Sequence, residues 1–352
     1  MPLPDVLRTL LTSPGPSGYE TAPALAWREA AAEFTSEVTG DVVGSSVARV
    51  KGTGDGPLLA VIGHIDEIGL IVRHVDDKGF LWFESIGGWD PQILVGQRVE
   101  IATRDGVVPG VVGKKPIHLL KDEARKKVPE LKDLHIDIGA RDGDDARAQV
   151  RLGDVAVIAG EPVDLLNDRV ISRSMDNRLG AYVALEAARL VAADGGAPGD
   201  VGAVAVAQEE ITFAGAHTSA FALAPQVAIV VDVTFSTDPP GHEEKELGRH
   251  PTGSGPVIAR GATLHPHVFE LLYETAEAQG IPFTVDVAGK LTGTDADAVH
   301  LSRSGVPTGV VSIPLRYMHS PVELVELADV ENTARLIAAF AQRLGPGTSF
   351  DR

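Results

Sequence analysis

The chain has 352 residues, no cysteine and a formal net charge of −18. The missing thiols exclude disulfides and thiolate metal ligands, so any metal has to be held by His, Asp and Glu. The acidic balance argues against a nucleic-acid or anionic-membrane partner, since phosphate binding needs a basic face. A hydrophobic share of 44% with 23% charged residues describes an ordinary globular chain, long enough for two domains.

The start, MPLPDVLRTLL, lacks a cationic region followed by an apolar core and cleavage site. No apolar run reaches membrane-spanning length, so a cytoplasmic location is expected. Residues 7–11 and 22–34 read as short amphipathic helices separated by the turn-rich Ser13-Pro14-Gly15-Pro16-Ser17-Gly18. Residues 45–51 and 57–63 read as strands, the second wholly apolar and ending at His64-Ile65-Asp66-Glu67.

After Gly69 the texture changes. From about residue 71 to 160, short β-like segments (79–84, 98–102, 107–112, 134–138 and 155–159) alternate with turns, interrupted by one charged helical piece at 121–132. Many short strands with glycine punctuation predict a small barrel or sandwich, inserted between residues 1–70 and 161–352.

The α/β pattern returns at Ser174-Met175-Asp176-Asn177-Arg178, which opens a helix to about Ala193. The run 201–206 is apolar without alternation, as a strand buried on both faces would be, and leads to Glu209 and Glu210. A second buried strand, 227–231, ends at Asp232, and a looser stretch follows to Gly255. A helix at 266–279 stops at Gly280. A strand at 281–287, a short helix at 295–304 and an apolar strand at 308–313 lead to Arg316-Tyr317-Met318-His319-Ser320-Pro321, and a last amphipathic helix covers 329–344. No internal repeat or low-complexity tract is present. The fold class is α/β, doubly wound, with an inserted β-barrel-like unit.

Polar residues thus recur past the ends of the apolar strands and at one helix start: His64 and Asp66, Asp176, Glu209 and Glu210, Asp232, and His319. Each alone has a bland reading. A single His near a strand end is more often a structural hydrogen-bonding residue, an isolated acid pair is a solvated strand cap, and Asp176 could cap its helix. As a set they are harder to dismiss. Open α/β sheets place their chemistry beyond the carboxyl ends of the strands, and carboxylates converging on one cleft repel unless protons or metal ions neutralise them. The donor count fits two divalent ions, a bridging carboxylate, one His and one further carboxylate on each, and a spare carboxylate as general base. Two ions roughly 3.5–4 Å apart polarise a carbonyl and acidify a water, which is amide-bond hydrolysis.

Several stretches resemble the M42 family of co-catalytic metallo-aminopeptidases, the TET aminopeptidases: HIDEIG at 64–69, SMDNRLG at 174–180, QEE at 208–210, VVDVT at 230–234, GSGPVI at 253–258 and the tail TGTDADAVHLSRSGVPTGVVSIPLRYMHSPVE at 292–323. The likeness spans nearly the whole chain, the β insertion included. It implies a zinc-exopeptidase-type catalytic domain acting on peptides with a free N-terminus. Asp176 would bridge two ions, His64 and Asp232 would complete one site, and Glu210 and His319 the other. Glu209 would be the general base, and Asp66 would orient His64. Zinc is the expected ion, with cobalt or manganese as alternatives. The resemblance also implies a homo-oligomer, a dodecamer built from dimers, with the inserted domain mediating contacts.

One departure is visible. The family's EExGxxGA continuation reads Glu209-Glu210-Ile211-Thr212-Phe213-Ala214-Gly215-Ala216 here. Thr212 and Phe213 could reshape the loop beside the cleft, and specificity would be set around 292–295 and Phe213. Weaker signals fail: no GxGxxG, phosphate loop or GxSxG elbow is present. His265-Pro266-His267 reads as a surface helix start, and Lys114-Lys115 with the lysines of 121–127 as a solvated face. Two rivals remain: a deacylase or carboxypeptidase-like amidohydrolase on the same fold, and a non-catalytic scaffold, which the complete set of seven site residues disfavours.

Overall fold

In the computed structural model, which describes residues 1–351, the strands in chain order are β1 (Glu37–Gly40), β2 (Ser46–Val50), β3 (Gly56–His64), β4 (Gly69–Val75), β5 (Leu81–Ile86), β6 (Arg98–Thr103), β7 (Gly106–Lys114), β8 (Leu134–Asp137), β9 (Val155–Ile158), β10 (Val163–Asp164), β11 (Arg169–Ser172), β12 (Gly199–Val206), β13 (Val227–Phe235), β14 (Val257–Gly261), β15 (Thr284–Ala288), β16 (Thr308–Leu315) and β17 (Glu323–Glu326). Eight of them form one sheet in the order β1-β2-β12-β3-β13-β16-β14-β15. Its centre, β12, β3, β13 and β16, is parallel. Towards the edges, β2 and β14 run antiparallel to their inner neighbours.

The unbroken apolar runs are explained by burial on both faces. In β3, Leu59 and Val61 belong to one apolar layer while Ala60 and Ile62 belong to the other. The helices Asp5–Thr12, Thr21–Ala31, Met175–Ala193, Pro266–Gln279 and Leu327–Gln342 close the first layer. Ala214–Leu223 and Ala296–Val299 close the second. A Cβ on Gly63 would lie 2.2 Å from the main-chain carbon of Gly180, and one on Gly180 would lie 2.5 Å from Val231 O. Strand and helix therefore meet backbone to backbone, next to His64 and one turn beyond Asp176.

The punctuated segment forms a closed barrel in the order β4-β5-β8-β7-β6-β9, antiparallel throughout. Between barrel and sandwich, then, it is a barrel, filled by residues such as Leu70, Leu81, Ile101 and Ile136. β10, β11 and β17 form a small third sheet, joined to the end of β16 by the bridge between Leu324 and Arg316.

Some local expectations fail for physical reasons. The charged piece at 121–132 is helical only over Asp122–Arg125, with a 3₁₀ turn at Leu131–Asp133. It has no apolar stripe to bury, and so short a helix gains little without one. The strand expected from 281 starts at Thr284, beyond Pro282, which has no N–H to donate. The helix expected at 295–304 is limited to Ala296–Val299. His265, expected at the surface, is buried at the start of its helix with Phe350 edge-on to its ring. Among the described residues no helix is long and apolar enough to cross a membrane.

Candidate metal centre

His64 is the last residue of β3. Asp232, expected past a strand end, instead lies inside β13, in register with Ser312 of β16, and the strand runs on to Phe235. A carboxylate buried within a central strand breaks the apolar pattern of β13, and a buried acid of this kind is the informative exception to an apolar interior. Asp176 does not cap a helix. Its φ of −80° and ψ of 104° are non-helical, and regular helix begins only after Asn177. The Asn177 side chain fastens this kink, donating to Val231 O at 2.8 Å and accepting from Gly180 N–H at 2.8 Å.

The paired glutamates, expected on a loop, open the short helix Glu209–Thr212. They face one cleft because Asp66 holds their backbone. Its Oδ1 accepts from Glu209 N–H at 3.1 Å and its Oδ2 from Glu210 N–H at 3.2 Å. Asp66 is fully buried and also accepts from Ser17 Oγ at 2.6 Å. The turns leading into the site carry strain as well: Ser174, Gln208, Tyr317 and His319 all have φ near +60°, a conformation costing such residues roughly 1–3 kcal/mol each.

All seven sequence-derived residues converge. His64 Nε2 lies 3.1 Å from Asp176 Oδ1 and 3.7 Å from Glu209 Oε2. His319 Nε2 lies 3.3 Å from both Asp176 Oδ2 and Glu210 Oε1. On the far side of the His64 ring, Nδ1 is 3.3 Å from Asp66 O and 3.4 Å from its Oδ1. Two triplets, His64–Asp176–Glu210 and His64–Glu209–Asp232, each offer ligand atoms within 4.8 Å of one another. Glu209 is thus within ligand reach itself.

The electrostatics follow from crowding. Burial pushes the Glu209 carboxyl up to about 10; the positive His64 opposes this, and Asp232, Asp295 and Glu210 add to it. Asp232 and Glu210 are raised by burial too, with the Asp176 charge adding. For the imidazoles, burial works towards neutrality but loses. Glu209 and Asp176 hold His64 well above its usual value, and Asp176 and Glu210 lift His319 to about 11. Asp176 moves the other way: bonds from both imidazoles outweigh burial and hold it far below the usual carboxylate range.

Two buried acids stand beside the seven without being among them, although the second, Asp295, ends the 292–295 stretch expected to set specificity. Glu323, the first residue of β17, accepts from His319 N–H at 2.9 Å and from Asp176 N–H at 3.2 Å, tying two site residues of distant segments together. Asp295 is fully buried with no hydrogen-bond partner on either carboxylate oxygen. Beside the cluster opens a cavity of about 370 Å³, lined past the acids and imidazoles by Val233, Thr234, Phe235, Thr292, Thr294 and Met318. Thr292 and Thr294 stand where specificity was expected, whereas Phe213 is not part of the lining and packs into the second apolar layer.

Residues 44–336 match the family described as M42 glutamyl aminopeptidase. The chain belongs to the M42 peptidase family. It is a peptidase hydrolase. The lysyl aminopeptidase of Pyrococcus furiosus is 35% identical over 352 residues, covering 97% of both chains. The structure of a TET aminopeptidase from a marine-sediment thaumarchaeon, SCGC AB-539-E09, superposes with a TM-score of 0.91 at 34% identity, covering 97% of this M42 chain and 96% of its own. The TET1 peptidase of Pyrococcus horikoshii, which can assemble into a tetrahedron or a large octahedral shell, has a TM-score of 0.84 at 30% identity, with 97% and 99% covered.

Proposed function

We propose that this peptidase removes residues from the free N-termini of peptides and holds two divalent ions, zinc first among candidates, with cobalt or manganese as alternatives. The observation that carries the reading is the convergence of buried acids and two imidazoles from five separate segments on one point beside an open cavity. The residues fit such ions. Every donor is oxygen or imidazole nitrogen, and Glu210 Oε1 is buried with no donor aligned on it. The crowding that drives Glu209, Glu210 and Asp232 towards protonation is what bound cations relieve. In this reading His64, Asp232 and Asp176 would hold one ion, and Glu210, His319 and Asp176 the other.

Bound there, the ions would supply Lewis-acid polarisation of the scissile carbonyl and an acidified water. The chain supplies the rest. Glu209 takes the proton of the attacking water and returns it to the leaving amine. Asp66 fixes the main chain of both glutamates and the face of His64, and Glu323 fixes Asp176 and His319 from behind. The barrel, residues 71–160, serves assembly into a homo-oligomer, in the fullest form a dodecamer, in the cytoplasm. Its exposed Ile117 (55%) and Leu119 (66%) support that role.

The test compares leucyl-p-nitroanilide with its N-acetylated form, before and after stripping by a strong chelator and refilling with Zn²⁺, Co²⁺ or Mn²⁺. The expected result is cleavage of the free amine alone, lost on stripping and restored on refilling. Equal rates on the acetylated substrate would show that no free amine is needed and favour the rival, a deacylase or carboxypeptidase-like amidohydrolase, and full activity in a metal-free preparation would sink the two-ion reading.

A further inference from the structure

An aminopeptidase has to seat the first side chain of its substrate beside the reacting carbonyl, and here the available space is the cavity next to the cluster. The inference below rests on the aminopeptidase reading. Apart from the acids and imidazoles of the centre, the wall is neutral: Val233, Phe235 and Met318 are apolar, and Thr234, Thr292 and Thr294 carry only hydroxyls.

The charged groups nearest in the chain are all accounted for. Arg316, two residues before Met318, donates from Nε to Asp238 Oδ1 at 3.0 Å and from Nη2 to Asp238 Oδ2, with a further bond to Thr252 Oγ1 at 3.2 Å. Asp297, which follows the Thr292–Thr294 turn, accepts from Thr292 N–H and Oγ1 at 2.9 Å and from Gly293 N–H at 2.8 Å, so both its oxygens serve the turn. Asp295 is fully buried and takes no part in the lining. Lys290 is exposed and outside the wall.

We propose that this cavity selects uncharged N-terminal side chains of the aliphatic or thioether type, leucine and methionine, over glutamate and lysine. A glutamate would bring a charge with no cation to receive it into a wall already flanked by carboxylates. A lysine would find no acceptor on the cavity wall outside the catalytic cluster, since Asp295, whose oxygens lack partners, is fully buried and does not line it. A charged group that loses water without gaining a partner is rejected far more strongly than one methylene too many.

The experiment measures kcat/KM for the Leu, Met, Ala, Glu and Lys p-nitroanilides on the zinc-loaded protein. Alongside, binding of the free amino acids leucine, glutamate and lysine is followed by calorimetry. Leucine or methionine should lead glutamate and lysine by about tenfold or more, and free leucine should bind more tightly than either charged amino acid. A lead for glutamate or lysine, or parity with leucine, overturns the proposal.

Phe235→Arg supplies the decisive variant, because Phe235 is 52% exposed at the end of β13 and lines the cavity without touching the fold's core. It should raise the Glu-to-Leu ratio by about tenfold or more. An unchanged ratio means that the side chain sits elsewhere. If no anilide is cleaved at all, the aminopeptidase reading itself has failed, an outcome distinct from a wrong preference.

Discussion

Glu323→Ala tests whether the centre is held in shape from behind. The carboxylate is 2% exposed and its two oxygens each accept a main-chain N–H, from His319 at 2.9 Å and from Asp176 at 3.2 Å. Alanine leaves two buried donors unpaired at about 1–3 kcal/mol apiece, roughly 2–6 kcal/mol together. Part of that loss should appear in folding stability. The rest should appear in the site, because His319 is held at a φ of 58° and a freed turn would carry its Nε2 away from Asp176 and Glu210. Groups that orient metal ligands are worth about 10–100-fold in metal affinity. Glu323→Gln keeps one acceptor and turns the other into a donor facing an N–H, so it should show a smaller loss of both quantities. Zinc titration of the stripped protein by calorimetry, with urea unfolding in chelator, separates the two effects. Zinc affinity within about twofold of wild type for Glu323→Ala would refute the positioning argument, even with stability reduced.

The adjacent glutamates should fail differently. Glu209→Gln should lower kcat on the order of 10²–10⁴-fold with both ions retained, while Glu210→Gln should lose an ion and regain activity with added metal. Metal content by mass spectrometry showing the reverse pattern would swap the roles. For pH, the buried Asp329 accepts from Gly253 and Gly255 N–H at 2.7 Å each, and burial raises it from 3.8 to about 7. Its protonated folded form favours folding fully below pH 3.8, and that contribution is lost as pH rises through about 7. Asp329→Asn should therefore gain relative to wild type between pH 5 and 8 in urea unfolding, and an equal difference at both pH values would remove Asp329 from the explanation. Finally, Ile117→Asp with Leu119→Asp should give smaller particles by light scattering, and an unchanged mass would move the assembly contacts off this part of the barrel.

The parts of the site that could be read in advance are those where an apolar run ends abruptly in acids or histidine. His64 and the glutamate pair stand out for that reason, as the barrel does for its short strands and glycine turns. Asp232 was readable as chemistry but not in place, since a strand that continues past a buried acid through Val233, Thr234 and Phe235 contradicts the pattern used to find its end. Glu323 and Asp295 give no local signal. The first looks like a surface acid after Ser320-Pro321 and the second like a helix cap; the first is buried by pairing with Ser172 of β11, and the helix after the second packs on Ala214–Leu223 and β13, none of them near in sequence. The left-handed turns at Ser174, Gln208, Tyr317 and His319 are invisible for a related reason. No residue there prefers that conformation, so the surroundings have to impose it; at His319 the N–H is held by Glu323, whose other oxygen is tied to the distant Asp176 N–H.

The barrel is not a separable attachment. Only Ile65 to Ile68 separate β3 from β4, and that link contains Asp66, which holds the main chain of Glu209 and Glu210. It also contains Glu67, buried against Arg173 and Arg178. At the far end of β5, a Cβ on Gly88 would stand 3.4 Å from His319 Nδ1, and one on Gly87 would stand 2.6 Å from Ile68 Cγ2 and 3.4 Å from Glu210 Oε2. Barrel backbone is therefore part of the wall around the proposed metal ligands, and at Gly87 the close approach to Ile68 and the positive φ of 73° both resist a side chain. Excising residues 72–159 would strip that wall along with any assembly surface, so the loss of activity that follows would say nothing about oligomerisation. Point changes on the outer face, at Ile117 and Leu119, leave β4, β5 and the Gly87-Gly88 turn in place, and for that reason they separate assembly from chemistry where a deletion would merge them.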